Sequence, residues 1–272
     1  MDRSIFKSAE VGVRRGEQVS HPHNCDELYV SLEGRTTDVV NGQENKTLPL
    51  DVFVLTRDVV HGQINAADYR YCIFKLDIDA LIAALGDAAE GEGFRSLFII
   101  EPAMRRSGGC TSNMQIDPAT AEYAELTARL LVAEGEGEVA DAMLISLVKL
   151  ISKRARLRTG DSNAPSDAVA QAVLYINSHY AERITLETLA RSSGYSPRHF
   201  SRLFSASFGS SPMRYLSEVR LGRAKVLLSE NRLSVIEIAA AVGIDDSSAF
   251  TKSFRMRYGM TPTEYRRRSI GL

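Results

Sequence analysis

The sequence predicts an α+β multidomain chain. Short β-strands occupy its first part, a helical hairpin follows, and the C-terminal part is an all-α domain with a duplicated helix-turn-helix unit. Three observations carry this prediction: strand-type residue usage over residues 1–80, apolar residues at three- and four-residue spacing from Asp117 onward, and an internal repeat of about 50 residues after Ser166.

The strand signals come first in the chain. YVSLEG, TTDVV, DVFVLT and YRYCIFKLD are rich in Val, Ile, Tyr, Phe and Thr and are broken by Gly, Asn and Asp, so residues 1–115 should form a small barrel or sandwich. DPATAEYAELTARLLVAE and EVADAMLISLVKLISKRARL then flank EGEGE, which predicts the hairpin over 116–158. Leu126, Leu130 and Leu131, with Leu144, Leu147, Val148 and Ile151, give it ample apolar surface. A symmetric homodimer through these helices and packing on their own barrel are both open. TGDSNAPS, residues 159–166, has the composition of a linker, and 167–272 form the helical domain.

Composition narrows the class. The 272 residues are 44% apolar and can fill two ordinary cores. No run of about 18 apolar residues is present to span a bilayer, and MDRSIFKSAE lacks the apolar stretch of a signal peptide, so a cytoplasmic protein with no membrane partner is expected. Cys25, Cys72 and Cys110 are odd in number and lack a CxxC, which points to reduced thiols. The net charge of −1 conceals an asymmetry: residues 166–272 hold 15 Lys+Arg against 9 Asp+Glu, leaving 18 against 25 for 1–165, or +6 against −7. A basic half beside an acidic one suits a domain that meets phosphate.

The repeat gives that half its layout. With a shift of 49, Leu189, Ala190 and Gly194 fall on Ile238, Ala239 and Gly243. With a shift of 50, Phe200, Phe204, Phe208, Gly209, Pro212 and Tyr215 fall on Phe250, Phe254, Tyr258, Gly259, Pro262 and Tyr265. Each copy reads as a short helix (Leu186 to Ser192; Val235 to Ala241), a tight turn at Gly194 or Gly243, and a second helix that a major groove can receive. Burying Phe200, Leu203, Phe204 and Phe208 leaves Arg198, His199, Ser201, Arg202 and Ser205 outside. Burying Phe250, Phe254 and Tyr258 leaves Ser247, Ser248, Thr251, Lys252 and Arg255. These side chains hydrogen-bond base edges or phosphates, so double-stranded DNA is the expected partner. Between the copies, SPMRYLSEVRLGRAKVLLSEN can form a helix of about 18 residues, about 27 Å long, which suits reading helices about one DNA turn apart.

Residues 168–268 resemble the AraC/XylS family of bacterial transcription regulators, above all in VIEIAAAVGIDDSSAFTKSFRMRYGMTPTEYRR. Where the family pattern has Phe after the Gly of the second copy, this chain has Ile244, an apolar exchange. The resemblance implies base readers at Arg198, Ser201, Arg202, Ser247, Ser248, Thr251 and Lys252, phosphate contact for His199, and RNA polymerase as a further partner.

The N-terminal part carries its own constellation. His21 and His23, two apart, share a strand face; Glu27 can re-enter it past a short turn and His61 can arrive from a later strand. The spacing resembles the first motif of the cupin barrel, met by Gly16, His21, His23, Glu27 and Gly34, while the second motif is partial, with His61 and Asn65 but no Pro-x-Gly before them. Three readings stay open. The residues can line a pocket for a small-molecule effector, a sugar by similarity to relatives with such barrels, with Tyr29 and Tyr71 available to stack on a sugar face. His21, His23, Glu27 and His61 can instead hold a divalent transition metal. Or the imidazoles are hydrogen-bonded parts of the wall. The chain thus reads as an effector-controlled DNA-binding regulator and not an enzyme, against the alternative of a metal-dependent cupin enzyme or metal sensor fused to a DNA-binding domain.

Overall fold

A computed structural model describes residues 4–22, 25–57, 59–106, 114–157 and 165–269. His23, Cys110 and residues 159–164 of the expected linker lie outside the described residues. The chain divides into two compact units, with the boundary between residues 164 and 165.

The first unit contains strands β1 (Phe6–Pro22), β2 (Asp26–Val40), β3 (Gln43–Thr47), β4 (Asp51–Leu55), β5 (Val60–Leu76), β6 (Met114–Gln115) and β7 (Arg156–Leu157). They form one seven-stranded antiparallel sheet in the order β1-β5-β2-β4-β6-β7, with β3 paired to β2. YVSLEG and TTDVV, read from the sequence as two strands, are one: β2 stays paired with β5 through register shifts between Ser31 and Thr37. Most of β1 is an addition to the sequence reading, which places a strand only around His21. Its charged and polar residues hide the strand signal, yet it pairs with β5 from Phe6 to Pro22.

The segment after β5 carries no assignment in the sequence reading. It folds as α1 (Ile78–Leu85), α2 (Glu92–Arg95) and α3 (Glu101–Arg106), joined by a 3-10 turn at Gly86–Glu90 and a π-helical turn at Ser96–Ile100. The hairpin is α4 (Pro118–Glu134) and α5 (Glu138–Arg154). Asp117 caps α4 by accepting from Thr120 N, and Pro118 starts it. Asp141 on α5 accepts the backbone N–H groups of Ile5 and Phe6 at 3.1 and 2.7 Å, which ties the hairpin to the start of β1.

Alternation along the strands gives the sheet two different faces. Leu28, Val30, Val52, Val54, Cys72 and Phe74 pack with Leu131, Leu144, Leu147, Val148 and Ile151 of the hairpin. Tyr29, Phe53, Leu55, Tyr69, Tyr71 and Ile73 form a second, aromatic cluster on the opposite face. Leu126 and Leu130 stay exposed on α4. Cys25 and Cys72 are free thiols, and burial pushes Cys72 up to about 12, which keeps it protonated.

The second unit contains α6 (Asp167–His179), α7 (Leu186–Ser192), α8 (Pro197–Phe208), α9 (Pro212–Glu230), α10 (Val235–Ala241), α11 (Ser247–Tyr258) and α12 (Pro262–Ser269). α7 and α10 keep the limits read from the sequence, and the connecting helix α9 has 19 residues. Ser196, Ser211, Ser234 and Asp246 cap α8, α9, α10 and α11 through their side chains. Phe200, Phe204, Phe208 and Tyr215 are fully buried in the first copy, as are Phe250 and Phe254 in the second. Leu203 and Tyr258, expected inside, are half-buried because each sits at the edge of its helix's apolar stripe. Among the described residues no helix is long and apolar enough to cross a membrane.

Candidate nucleic-acid interface and effector site

α8 and α11 each begin with a cap that fixes where the first turn starts. Ser196 accepts from His199 N at 3.4 Å, and Asp246 accepts from Ser248 N and Ala249 N at 2.8 and 3.1 Å. At about 100° per residue, burying one phenylalanine stripe turns Arg198, Ser201, Arg202 and Ser205 outward on α8. Ser248, Thr251, Lys252 and Arg255 occupy the corresponding arc of α11. Arg198, Arg202, Ser248, Lys252 and Arg255 are exposed, and Ser201, Ser205 and Thr251 are half-buried. Each face therefore offers a cation flanked by hydroxyls.

Two predicted residues stand off these arcs. His199 lies to the side, its ring 4.9 Å from that of Tyr195 and its Nδ1 3.1 Å from Arg202 Nη2. Ser247 is the first residue of α11, matches Pro197 in the repeat and is half-buried. Thr251 is on the arc, but its hydroxyl donates to the Ser247 carbonyl at 2.9 Å. That leaves it an acceptor and a methyl to present.

In the first unit the chemistry collects on the aromatic face of the sheet. His21 and His61 are register partners on β1 and β5, with ring centroids 5.1 Å apart. Tyr29, from β2, lies 5.8 Å from His61 and stacks on Phe53 at 4.9 Å. Glu27, two residues before it on β2, lies on the same face, and Glu27 Oε1 is 3.7 Å from Lys75 Nζ. Burial first, then the Glu27 charge, raises the Tyr29 phenol well above its ordinary value. The structure thus brings His21, Glu27, Tyr29 and His61 into one neighbourhood. Among the described residues no three His, Cys, Asp or Glu side chains form a group able to hold a metal ion. Glu27 faces the Lys75 ammonium.

The same face holds a polar network that the sequence reading did not assemble. Buried Asp38 accepts from Thr47 Oγ1 and from Gln63 Nε2, the latter at 2.7 Å. Gln63 Oε1 accepts from Arg14 Nη1, and Arg14 Nη2 donates to Tyr71 OH at 2.8 Å. Tyr71 OH in turn donates to Glu10 Oε1 at 2.7 Å. Ser31 Oγ and Tyr69 OH are 2.8 Å apart. Arg105, from α3, pairs with Glu101 at 2.5 Å and lies 4.4 Å over the Phe53 ring. Burial raises Asp38 and Glu101 above the usual carboxylate range, although Thr47, Gln63 and the arginines pull Asp38 down and Arg105 pulls Glu101 down. No local spacing announces this set, because its members come from β1, β2, β3, β5 and α3. The one available signal was a charged Asp38 in TTDVV, at an inward position of a strand. A separate cleft of about 250 Å³ lies between the 3-10 turn and α5, lined by Leu85, Phe94, Val148 and Ser152 and by none of the network residues.

Two helix-turn-helix units in one compact domain, each presenting a cationic outer face, define a double helix-turn-helix protein of the nucleic-acid-binding class. The sequence family described as "Helix-turn-helix domain" matches residues 189–268. The HTH-type transcriptional activator RhaS of Escherichia fergusonii is 30% identical over 275 residues, covering 96% of this chain and 94% of that protein. The Arabinose operon regulatory protein of Salmonella typhimurium is 29% identical over 148 residues, 53% of each chain. The matched part thus spans about half the length of that relative, and 48% of another, YpdC of Escherichia coli. Among solved structures, the DNA-binding domain of AdpA in complex with a target DNA is 35% identical, with a TM-score of 0.36, covering 37% of this chain and 91% of that one. The chain belongs to the AraC/XylS family of transcription regulators.

Proposed function

We propose that the chain is a cytoplasmic, sequence-specific DNA-binding regulator that places α8 and α11 in successive major grooves. A small effector on the aromatic face of its first unit controls that binding. The observation that carries the reading is the register of the two outward faces: Arg198, Ser201, Arg202 and Ser205 recur 50 residues later as Ser248, Thr251, Lys252 and Arg255. A guanidinium or ammonium between hydroxyls suits guanine edges and phosphates.

Duplexes selected from a random library test this directly. Arg202→Ala and Lys252→Ala should each weaken specific binding by about tenfold or more, since a good base contact is worth about 1–3 kcal/mol. Unchanged specific binding in both variants would show that the reading faces are wrongly chosen.

For the effector we infer a neutral polyhydroxyl compound of sugar size. Asp38, Gln63, Arg14 and the three tyrosines supply donors, acceptors and aromatic faces, with Gln63 hydrogen-bonded to both Asp38 and Arg14. The names of relatives for arabinose and lactose operons point the same way. A panel of pentoses and hexoses should contain at least one that raises the melting temperature of the chain. If none does and elemental analysis finds a stoichiometric transition metal, the metal-sensor reading replaces this one. The proposal assigns no catalysis to the chain. A second copy is proposed to dock through the exposed stripe of α4 at Tyr123, Leu126 and Leu130, which Leu126→Glu should disperse in sedimentation.

A further inference from the structure

The two helix-turn-helix copies share one long helix, and that helix belongs to both cores. Near its start, Tyr215 packs against Phe204 and Phe208 of the first copy, with ring centroids 5.7 and 5.8 Å away. Further along, Leu221, Ala224 and Leu228 lie in the core of the second. One rod fixes the separation of two modules well and their mutual twist less well.

A second connection runs beside it. Tyr180, in the turn that leads into α7, precedes the first copy in the chain, yet its side chain packs on the core of the second. Arg223 lies 5.5 Å from the centre of its ring. Arg220 Nε donates to the Tyr180 carbonyl and Arg220 Nη2 to the Glu182 carbonyl, each at 2.7 Å. The residue between, Ala181, meets the turn of the second copy: a Cβ at Gly243 would run into the Ala181 carbonyl oxygen and lie 2.8 Å from its carbon. Gly194, the matching residue of the first copy, has nothing within 4 Å of such a Cβ. Backbone strain does not separate the two glycines, since φ is 71° at Gly194 and 77° at Gly243.

We propose that the turn 180–182, forked by Arg220 and seated on Gly243, is a second tether that sets the angle between the reading helices. Arg220 is then a positioning residue for bipartite DNA reading. This rests on the DNA-binding reading above. A planar guanidinium holding two carbonyls is directional in a way that an ammonium is not. Two linked modules bind together only when their geometry matches the sites, and most of the gain over one module is lost when it does not.

The test uses the full chain and a duplex that it selects from a random library, with three derivatives: either half-site scrambled, or one base pair inserted between the halves. Arg220→Ala should weaken binding to the intact duplex by about tenfold while changing binding to each half-site duplex by less than about twofold. The penalty for the inserted base pair should shrink, because a loosened pair of modules no longer senses it. Arg220→Lys should restore only part of both effects. Gly243→Ala should behave like Arg220→Ala, while Gly194→Ala, with similar backbone strain in open space, should keep the wild-type spacing penalty. The glycine pair decides the matter if circular dichroism shows that Arg220→Ala does not fold. Equal losses on half-site and intact duplexes would reduce Arg220 to a stability role and overturn the proposal. So would an unchanged spacing penalty in Arg220→Ala and Gly243→Ala. Failure of the wild-type chain to select any duplex would overturn the DNA-binding reading along with it.

Discussion

The two helix-turn-helix copies are built on one plan and finished differently. Both bury aromatic residues four apart, and both close the reading helix with a left-handed glycine, Gly209 or Gly259. The first copy starts that helix on Ser196 and leaves its turn glycine in open space; the second starts on Asp246 and presses its glycine against Ala181. The second copy also carries a glutamate in each of its outer caps where the first has Thr188 and Arg214. The repeat supplies the reading faces, and the differences between the copies concern how the second is held.

The largest test of that comparison lies in the cores. Phe204 sits 4.9 Å from Phe208, and Phe254 sits 4.6 Å from Tyr258, with Phe204 and Phe254 both fully buried. Replacing either by Ala should cost about 3–5 kcal/mol. If α9 and the turn 180–182 join the copies into one cooperative unit, both variants should lower a single unfolding transition of residues 165–272 by similar amounts. Two separated transitions in either variant would mean that the copies unfold independently and that the second tether is weak.

A smaller test separates the caps of the reading helices. Asp246 accepts two backbone N–H groups and places a negative charge at a helix start, whereas Ser196 accepts one at 3.4 Å. Asp246→Ala should therefore cost about 1–2 kcal/mol, and Ser196→Ala about half as much, in chemical denaturation. Equal losses would show that the charge at the second cap adds nothing.

This half of the molecule was legible because every signal in it is local. A cap, an apolar stripe, a glycine and a proline recur within 25 residues, and the repeat states each of them twice. His199 and Ser247 lie off the reading arcs, since being outside a stripe does not by itself place a side chain there. The first unit was legible in class and less so in detail. Its His21, Glu27, Tyr29 and His61 cluster followed from strand alternation. Arg14, Asp38, Gln63 and Arg105 did not, because only the long pairing of β1 and β2 with β5 and the packing of α3 bring them together. Helices α1 to α3 were missed because Gly86, Gly91 and Gly93 interrupt the helical period, and tertiary burial of Leu81, Phe94 and Leu97 decides the outcome.

The smallest expected difference between the copies is one of pH. In the second copy Ser234 N donates to Glu237 Oε2 at 2.7 Å and Thr261 N to Glu264 Oε2 at 2.7 Å. These backbone bonds hold both carboxyls below the usual glutamate range. A carboxyl lowered in the folded state adds stability above its unfolded value of about 4.3, and that stability disappears as the pH falls through the folded value. Thr188 and Arg214, at the matching positions, carry no carboxyl, so α7 and α9 keep their caps. Amide exchange compared at about pH 5 and pH 3 should therefore show protection lost first at the starts of α10 and α12. Glu237→Gln and Glu264→Gln should abolish that difference, because an amide caps equally well at both pH values. Uniform loss across all four helix starts would place the acid sensitivity elsewhere, and the two copies would then be equivalent in this respect.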